Sequence, residues 1–275
     1  ELHSVQMLAI AREFNLSETV FVLKPDNPAH SARIRIFTPG MEVPFAGHPT
    51  IGTAALLAEL KTASLGGQQE ALVILEETVG VVRVGVRIRP HAATFAEFDA
   101  PKLPVHGGSL APDDSIAAAL GLIPSEIGFA NHRPIRFAAG NSFAFVPVAS
   151  LDAISRAHPD MRHWVRAFGN QDLIGTFLYT RETVHTSSAF HARMFAPDFG
   201  IPEDPATGSA AVAFAGVVHH FDGLPDGQHK RVIEQGYEMR RRSEIVLSLE
   251  IEGRKLGLVR IGGSVVRVSE GELTI

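Results

Sequence analysis

The chain contains no cysteine, and this absence excludes several kinds of chemistry. Disulfide bonds, thiol nucleophiles and cysteine-ligated metals are all ruled out. A chain without cysteine fits the reducing cytoplasm, so we expect a cytoplasmic protein. No apolar run reaches the length needed to cross a bilayer, so we expect no association with a membrane.

Positive charge is also scarce, since the net charge is −5 and the one basic block is residues 240–242, all arginine. This composition disfavours binding to nucleic acid. No Gly-x-Gly-x-x-Gly stretch lies between a strand and a helix, so a nucleotide cofactor is not indicated. The 275 residues are 45% hydrophobic and 20% charged, which is typical of a globular protein of one or two domains.

One sequence layout occurs twice. Residues 35–39 and residues 193–197 both read Arg-x-Phe-x-Pro, and each is followed by a loop and then by a glycine that opens an alanine-rich segment. These glycines are Gly47, followed by His48, and Gly208. The copies lie about 160 residues apart, a spacing far longer than that of a repeat array. The sequence therefore predicts a duplicated domain.

Each copy predicts a loop that feeds the N-terminus of a helix. Gly208 allows the backbone to approach a ligand closely, and Thr207 or Ser209 has the chemistry of a helix cap. Free N–H groups and the helix dipole make such an end a site for a carboxylate or phosphate. If the two halves face each other, two helix N-termini meet at one cleft that suits a small anion.

The periodicity predicts an α+β fold. Residues 4–14 show an amphipathic helix pattern that stops at Asn15, a residue that tolerates the left-handed conformation. Each half then has several strands and about one long helix, without regular β-α alternation. Residues 101–112, rich in proline and glycine, are the predicted linker. Gly262-Gly263 predicts a two-residue hairpin turn between the last two strands.

The candidate site residues are Glu18, Glu42, His48, Asp204 and Ser209. A Ser-His-Asp hydrolase is disfavoured because Ser209 does not lie in a Gly-x-Ser-x-Gly turn. The 13 histidines lack the spacing of a zinc motif, so no metal is expected. Before any resemblance is considered, Glu18 is better explained as a solvated turn residue than as an acid or base, since most glutamates are exposed. His48 either contacts a ligand or only caps a helix, and we expect it to be neutral beside the positive end of the helix dipole.

Several motifs together resemble the phenazine-biosynthesis PhzF-like family over essentially the whole chain. These stretches are residues 15–19, 45–54, 203–211, 234–236, 240–243 and 262–266. The resemblance implies a diaminopimelate-epimerase-like fold with two pseudo-symmetric domains, each a mixed barrel-like sheet around a central helix. The active site then lies in the cleft between the domains. Related racemases carry a cysteine at the end of each central helix, and this chain cannot use two thiols.

The resemblance also implies roles for individual residues. Glu18 corresponds to the acid/base of PhzF-like isomerases, and His48 and Asp204 complete the catalytic group. Four small residues correspond to substrate-binding positions: Ser17, Gly47, Gly208 and Ser209. The implied reaction is a cofactor-independent proton shift in a cyclic amino acid of the trans-2,3-dihydro-3-hydroxyanthranilate type, carried out by a homodimer. Glu42 is expected only to support its loop.

The sequence also departs from the family pattern. The first strand of the family is missing, so residues 1–100 are expected to form an N-terminal half that residues 264–275 complete, and residues 113–263 a C-terminal half. Residues 240–242 stand where the family often has Gly-Arg-Pro. An epimerase or dehydratase acting on another small carboxylic acid remains an alternative, as does a binding protein without catalysis. Burial of Glu18 in the cleft would favour an enzyme, and exposure would favour a scaffold.

Overall fold

The structure is a computed structural model that describes residues 2–62, 67–169 and 172–274. Six α-helices are described: α1 Ser4–Phe14, α2 Gly47–Thr62, α3 Asp113–Ala119, α4 Leu151–Arg156, α5 Met161–Phe168 and α6 Gly208–Asp222. The strands are β1 Thr19–Leu23, β2 Ala32–Phe37, β3 Glu42–Val43, β4 Gln69–Glu77, β5 Gly80–Ile88, β6 Thr94–Asp99, β7 Val105–Ser109, β8 Ile135–Ala139, β9 Asn141–Pro147, β10 Leu173–Thr180, β11 Phe190–Ala196, β12 Ile201–Asp204, β13 Gly227–Gln235, β14 Ser243–Glu252 and β15 Lys255–Val265. Within these ranges, no helix is both long enough and apolar enough to cross a membrane.

The strands form one continuous mixed sheet. Its order is β1-β2-β4-β5-β6-β15-β14-β13-β11-β10-β9-β8-β7, with β3 added to β2 and β12 added to β11. The two halves are joined where β6 and β15 pair antiparallel, from Asp99 opposite Arg260 to Thr94 opposite Val265. The α+β fold with mixed strands is therefore confirmed.

The duplication is visible in the strand register. In the first half, β2 and β4 are parallel and pair Arg33 with Glu76. In the second half, β11 and β13 are parallel and pair His191 with Glu234. The residue after each glutamate is Glu77 in one half and Gln235 in the other.

Each half packs its sheet around one helix that is buried along most of its length. In α6, residues 210–218 are all buried, which small side chains permit without a gap to the sheet. Phe214 fills the centre, with its ring 4.7 Å from Tyr179 and 5.0 Å from Phe190. The helix α2 likewise buries Ala54 and Ala55 completely. The central helices are thus packed directly against the sheet.

One glycine-based prediction is wrong. Gly262 and Gly263 lie inside β15 and form no hairpin turn. A Cβ on Gly262 would lie 2.7 Å from Phe95 Cζ, so this glycine instead permits close packing against the Phe95 ring. The predicted linker, residues 101–112, contains β7, which pairs with β8 around a bulge between His106 and Gly108. The last strand ends at Val265, and residues 266–274 form no helix or strand. The boundaries of the two halves stay a prediction.

Candidate active site

The N-termini of α2 and α6 touch each other. A Cβ on Gly47 would lie 2.5 Å from Gly208 Cα, and a Cβ on Gly208 would lie 2.7 Å from Gly47 Cα. Only glycine allows this approach, which brings the positive ends of two helix dipoles together. Thr207 is the N-cap residue of α6, but its hydroxyl donates to Asp204 Oδ2 at 2.6 Å and makes no cap hydrogen bond. The helix N–H groups are thus not satisfied by that side chain.

Glu18 lies directly beside His48 at this junction. It follows the left-handed Asn15 that ends α1 and immediately precedes β1, so the strand fixes its position. Glu18 Oε2 is 3.2 Å from His48 Nε2, and the Glu18 side chain is only 10% exposed. This burial contradicts the reading of Glu18 as a solvated turn residue.

The tautomer of His48 follows from its second contact. His48 Nδ1 lies 2.7 Å from the carbonyl oxygen of Ala206, and because a carbonyl only accepts, Nδ1 carries the proton. Nε2 therefore faces Glu18. The pair is therefore either a neutral imidazole beside a protonated carboxyl or an imidazolium beside a carboxylate, with 3.2 Å between the two atoms.

The protonation states of this pair are shifted by their surroundings. Burial raises the pKa of Glu18 to about 7, while His48 opposes the rise and Asp204 adds to it. Burial lowers the pKa of His48, but the charges of Glu18 and Asp204 and the Ala206 carbonyl outweigh this and raise it overall. These surroundings favour the charged form of His48 more than the sequence indicated, because two carboxyl groups lie near the ring.

Asp204 is the second carboxyl of the site. It ends β12 and is 3% exposed. Its Oδ2 accepts from Thr207, while its Oδ1 is buried without a hydrogen bond to any described residue. The same holds for Glu18 Oε2, whose contact with His48 lacks hydrogen-bond alignment. Two oxygens without hydrogen-bond partners thus lie in one cleft, and buried polar atoms of this kind call for a ligand or water.

Gln235 holds the loop that carries Asp204. Its Nε2 donates to the carbonyl of Asp204 at 2.7 Å and to Thr207 Oγ1 at 2.9 Å, and its Oε1 accepts from the Thr207 N–H at 3.2 Å. Gln235 was not among the site residues predicted from the sequence. Its only signal was the Glu-Gln-Gly stretch at residues 234–236.

A buried ionic network supports the site from behind. His191 Nδ1 is 2.8 Å from Glu234 Oε1, and His191 Nε2 is 2.9 Å from Glu238 Oε1. Arg193 makes two 2.8 Å hydrogen bonds to Glu203. Glu203, Glu234 and Glu238 lie next in sequence to Asp204, Gln235 and Met239, so the network holds the backbone on each side of the cleft.

Glu42 has a corresponding place in the first half. It accepts two hydrogen bonds from Arg35, at 2.8 and 2.6 Å. This pair matches the Arg193–Glu203 pair of the second half. Glu42 faces β2 and not Glu18, in keeping with a supporting role for its loop.

Two cavities open on either side of His48. One has a volume of about 300 Å³, and its walls include Ser17, Glu18 and Arg241. The other has a volume of about 660 Å³, and its walls include Gly208 and Arg241. Ser209 is not among the residues that line these two cavities, although it lies in the first turn of α6. Arg241 lines both, a position that the sequence analysis left without a role.

Glu18, His48 and Asp204 could also present ligand atoms to a metal ion, since one atom from each lies within 4.8 Å of the others. Zinc holds such atoms about 2 Å from itself, so its ligands lie within roughly 3.5 Å of one another. One Asp204 oxygen is already bonded to Thr207. The carboxyl–imidazole pair of Glu18 and His48, 3.2 Å apart, is suited to proton exchange.

The site thus combines a carboxyl whose pKa lies near neutrality, an imidazole and a second carboxyl beside two joined helix N-termini. Such a group of side chains is suited to acid–base chemistry. A model of the family described as phenazine biosynthesis-like protein matches residues 1–271. The chain belongs to this family.

Relatives and a solved structure agree with this assignment. An uncharacterized isomerase of Mesorhizobium japonicum is 50% identical, and the alignment covers 100% of this chain and 90% of that protein. The trans-2,3-dihydro-3-hydroxyanthranilate isomerase of Pseudomonas fluorescens is 33% identical with the same coverage. The crystal structure of a PhzF-family phenazine biosynthesis protein from Bacillus anthracis has a TM-score of 0.86 at 25% identity, covering 100% of this chain and 90% of that one. The chain is an enzyme of an isomerase family.

Proposed function

We propose that the protein moves a proton between two carbons of a small cyclic amino acid of the dihydro-hydroxyanthranilate type. The observation that carries this proposal is the Glu18 carboxyl, which is buried beside His48 with its pKa raised to about 7. A group with a pKa near the working pH both takes and returns a proton readily. The name of the 33% identical Pseudomonas fluorescens relative supports the substrate class.

The proton shift uses Glu18 as its carrier. The Glu18 carboxylate removes a proton from an allylic carbon of the ring, and the electron pair of that C–H bond moves into the diene. The double bonds shift, and the proton on Glu18 returns to the carbon at the far end of the conjugated system. Atoms and charge balance without an external oxidant or reductant. His48 stabilises the Glu18 carboxylate while the proton is bound elsewhere.

The substrate is held by groups of complementary charge. Its carboxylate lies at the joined N-termini of α2 and α6, where free N–H groups and two dipoles favour an anion. Arg241, which lines both cavities beside His48, supplies a full positive charge nearby. The substrate amine donates to Asp204 Oδ1, which has no other partner among the described residues. Ser17 lines the smaller cavity and orients the ring, while Ser209, in the first turn of α6, contributes to the anion site at that helix end.

Proton exchange into heavy water tests this function. The protein is incubated with dihydro-hydroxyanthranilate and with a panel of cyclic and acyclic amino acids, and deuterium incorporation is followed by proton NMR. We expect deuterium at a new carbon of the cyclic substrate. If protein shown to be folded incorporates deuterium into none of these compounds, the proposal is contradicted.

The same experiment distinguishes an isomerase from an epimerase. Glu18 and Asp204 are two carboxyls at one cleft, and an epimerase needs a base on each face of one carbon. Deuterium entering the original carbon with inversion would identify an epimerase, whereas deuterium at a different carbon identifies an isomerase. The burial of Glu18 in the cleft argues against a scaffold without catalysis.

A further inference from the structure

The cleft has more room than a one-ring substrate needs. The cavity of about 300 Å³ beside Glu18 already has the volume of a small-molecule site. The cavity of about 660 Å³ meets it at three shared residues, His48, Pro205 and Arg241. The two cavities are thus neighbours that share these side chains as a wall, and a ligand bound at Glu18 lies beside the larger one.

The larger cavity has one charged side. Arg241 and Arg242 both line it, and within residues 2–62, 67–169 and 172–274 neither makes a salt bridge. Glu244 and His185 also line it, so the two arginines outnumber the one carboxylate. Arginine guanidinium groups without a carboxylate partner are suited to bidentate recognition of an anion.

Arg242 is held in place by the structure behind it. Its guanidinium carbon lies 5.3 Å from the centre of the Tyr237 ring, a cation–π distance. Tyr237 packs edge-on against His191 at 5.4 Å, and His191 belongs to the buried ionic network. A tight turn with Arg240 in the left-handed conformation, φ 58°, precedes the two arginines. Arg240 itself lines neither cavity.

The rest of the wall is mainly apolar. It includes an aromatic ring and branched aliphatic side chains from α2, β6, β14 and β15: Ile51, Phe95, Ile245, Ile261 and Val265. Such a wall favours a hydrocarbon chain, since burying apolar surface is favourable. An apolar wall with arginines at one side fits an apolar arm that ends in a negative charge.

We infer that the larger cavity binds an anionic arm of the substrate, and that Arg242, together with Arg241, recognises its terminal carboxylate or phosphate. Arg242 is then a specificity-determining residue. This inference rests on the proposed function, because it places the reacting ring in the smaller cavity beside Glu18.

Matched ligands test the subsite without turnover. Three ethers of 3-hydroxyanthranilate are compared by calorimetry, each with a three-carbon arm on the hydroxyl: one ends in a carboxylate, one in a phosphate and one in a hydroxyl. We expect at least one charged arm to bind about tenfold or more tightly than the hydroxyl arm, as a charge-assisted hydrogen bond allows. The arm that binds more tightly shows whether the subsite prefers a carboxylate or a phosphate.

A pair of variants assigns the effect to Arg242. Arg242→Gln should remove the preference for the charged arm, while the matched control Arg240→Gln, which removes the same charge two residues away, should keep it. Equal dissociation constants for charged and uncharged arms with the unsubstituted protein would overturn the subsite, with no need for a variant. Equal losses in the two variants would also overturn it, because they would indicate only a general effect of charge.

The two proposals fail separately. If exchange at Glu18 occurs but the charge of the arm has no effect on affinity, the proposed function stands and the subsite is refuted. If affinity depends on the charge of the arm through Arg242 but no compound exchanges, the subsite stands and the proposed function is refuted.

Discussion

The contact between Gly47 and Gly208 makes Gly208→Ala a sharp test of the architecture. The new Cβ would lie 2.7 Å from Gly47 Cα, where ordinary contact begins at 3.4 Å. The two helix N-termini must therefore separate by about 0.7 Å, the difference between these two distances. Both approaching groups are backbone, so no side chain can rotate away.

This separation of the helix ends lowers both the stability of the fold and the rate of proton exchange. Overpacking of a tight contact costs about 1–3 kcal/mol, and alanine recovers up to about 1 kcal/mol of it through its higher helix propensity. For a chain of this size each kcal/mol shifts the melting temperature by about 2–4 °C. A displacement near 1 Å of groups that position a substrate lowers a rate by about 100-fold.

Thermal unfolding and exchange kinetics measure these effects, with Gly52→Ala as the stability control. Gly52 lies in α2, and a Cβ there would meet no heavy atom within 4 Å. We expect Gly52→Ala to keep or raise the melting temperature and Gly208→Ala to lower it, with a loss of activity much larger than the loss of stability. Unchanged stability and unchanged kinetics in Gly208→Ala would refute the view that this contact sets the geometry of the site.

Three further predictions concern single residues. Burial raises the pKa of Glu77 to about 8. Above about pH 4.3 the unfolded state releases a proton that the folded state still holds, so the free energy of unfolding falls as the pH rises towards 8. Glu77→Gln introduces the residue type that Gln235 supplies in the other half. This variant should raise the free energy of unfolding at pH 8 by up to about 3 kcal/mol and leave it unchanged at pH 4. Equal gains at both pH values, measured by urea titration, would contradict this. His191→Gln should cost about 3 kcal/mol in the same assay, since it leaves Glu234 buried without a cation and Glu238 with only the longer 3.8 Å contact to Arg193. A loss below about 1 kcal/mol would argue against the network. Ser209→Ala should weaken ligand binding by about 1–3 kcal/mol in calorimetry, and an unchanged dissociation constant would end its role in binding.

Local sequence signals predicted the elements that position the site. Asn15 ends α1 in the left-handed conformation, as its side chain allows. Gly47 and Gly208 open the two central helices, as their place before alanine-rich segments indicated. Such signals depend on a few neighbouring residues, so they can be found without knowing the fold.

The groups that the sequence analysis missed act over long sequence separations. Gln235 bonds to Thr207, 28 residues away, and a glutamine carries no mark of its partner. Arg241 approaches His48 only because β13 and β14 bring residues 236–242 to the cleft. The glycine pair in β15 was misread for a related reason, since close packing against Phe95 and a hairpin turn both require glycine. Distinguishing these cases requires knowing which strands are neighbours.

The central claim is that the Glu18 carboxyl carries the proton, and one paired measurement on Glu18→Gln tests it most directly. The variant keeps the shape of the side chain and removes its ability to carry a proton. We expect deuterium exchange into the cyclic substrate to fall by a factor of roughly 10² to 10⁴ while the dissociation constant of 3-hydroxyanthranilate stays within a few-fold of its original value. Exchange at a near-normal rate, with binding intact, would show that another group carries the proton.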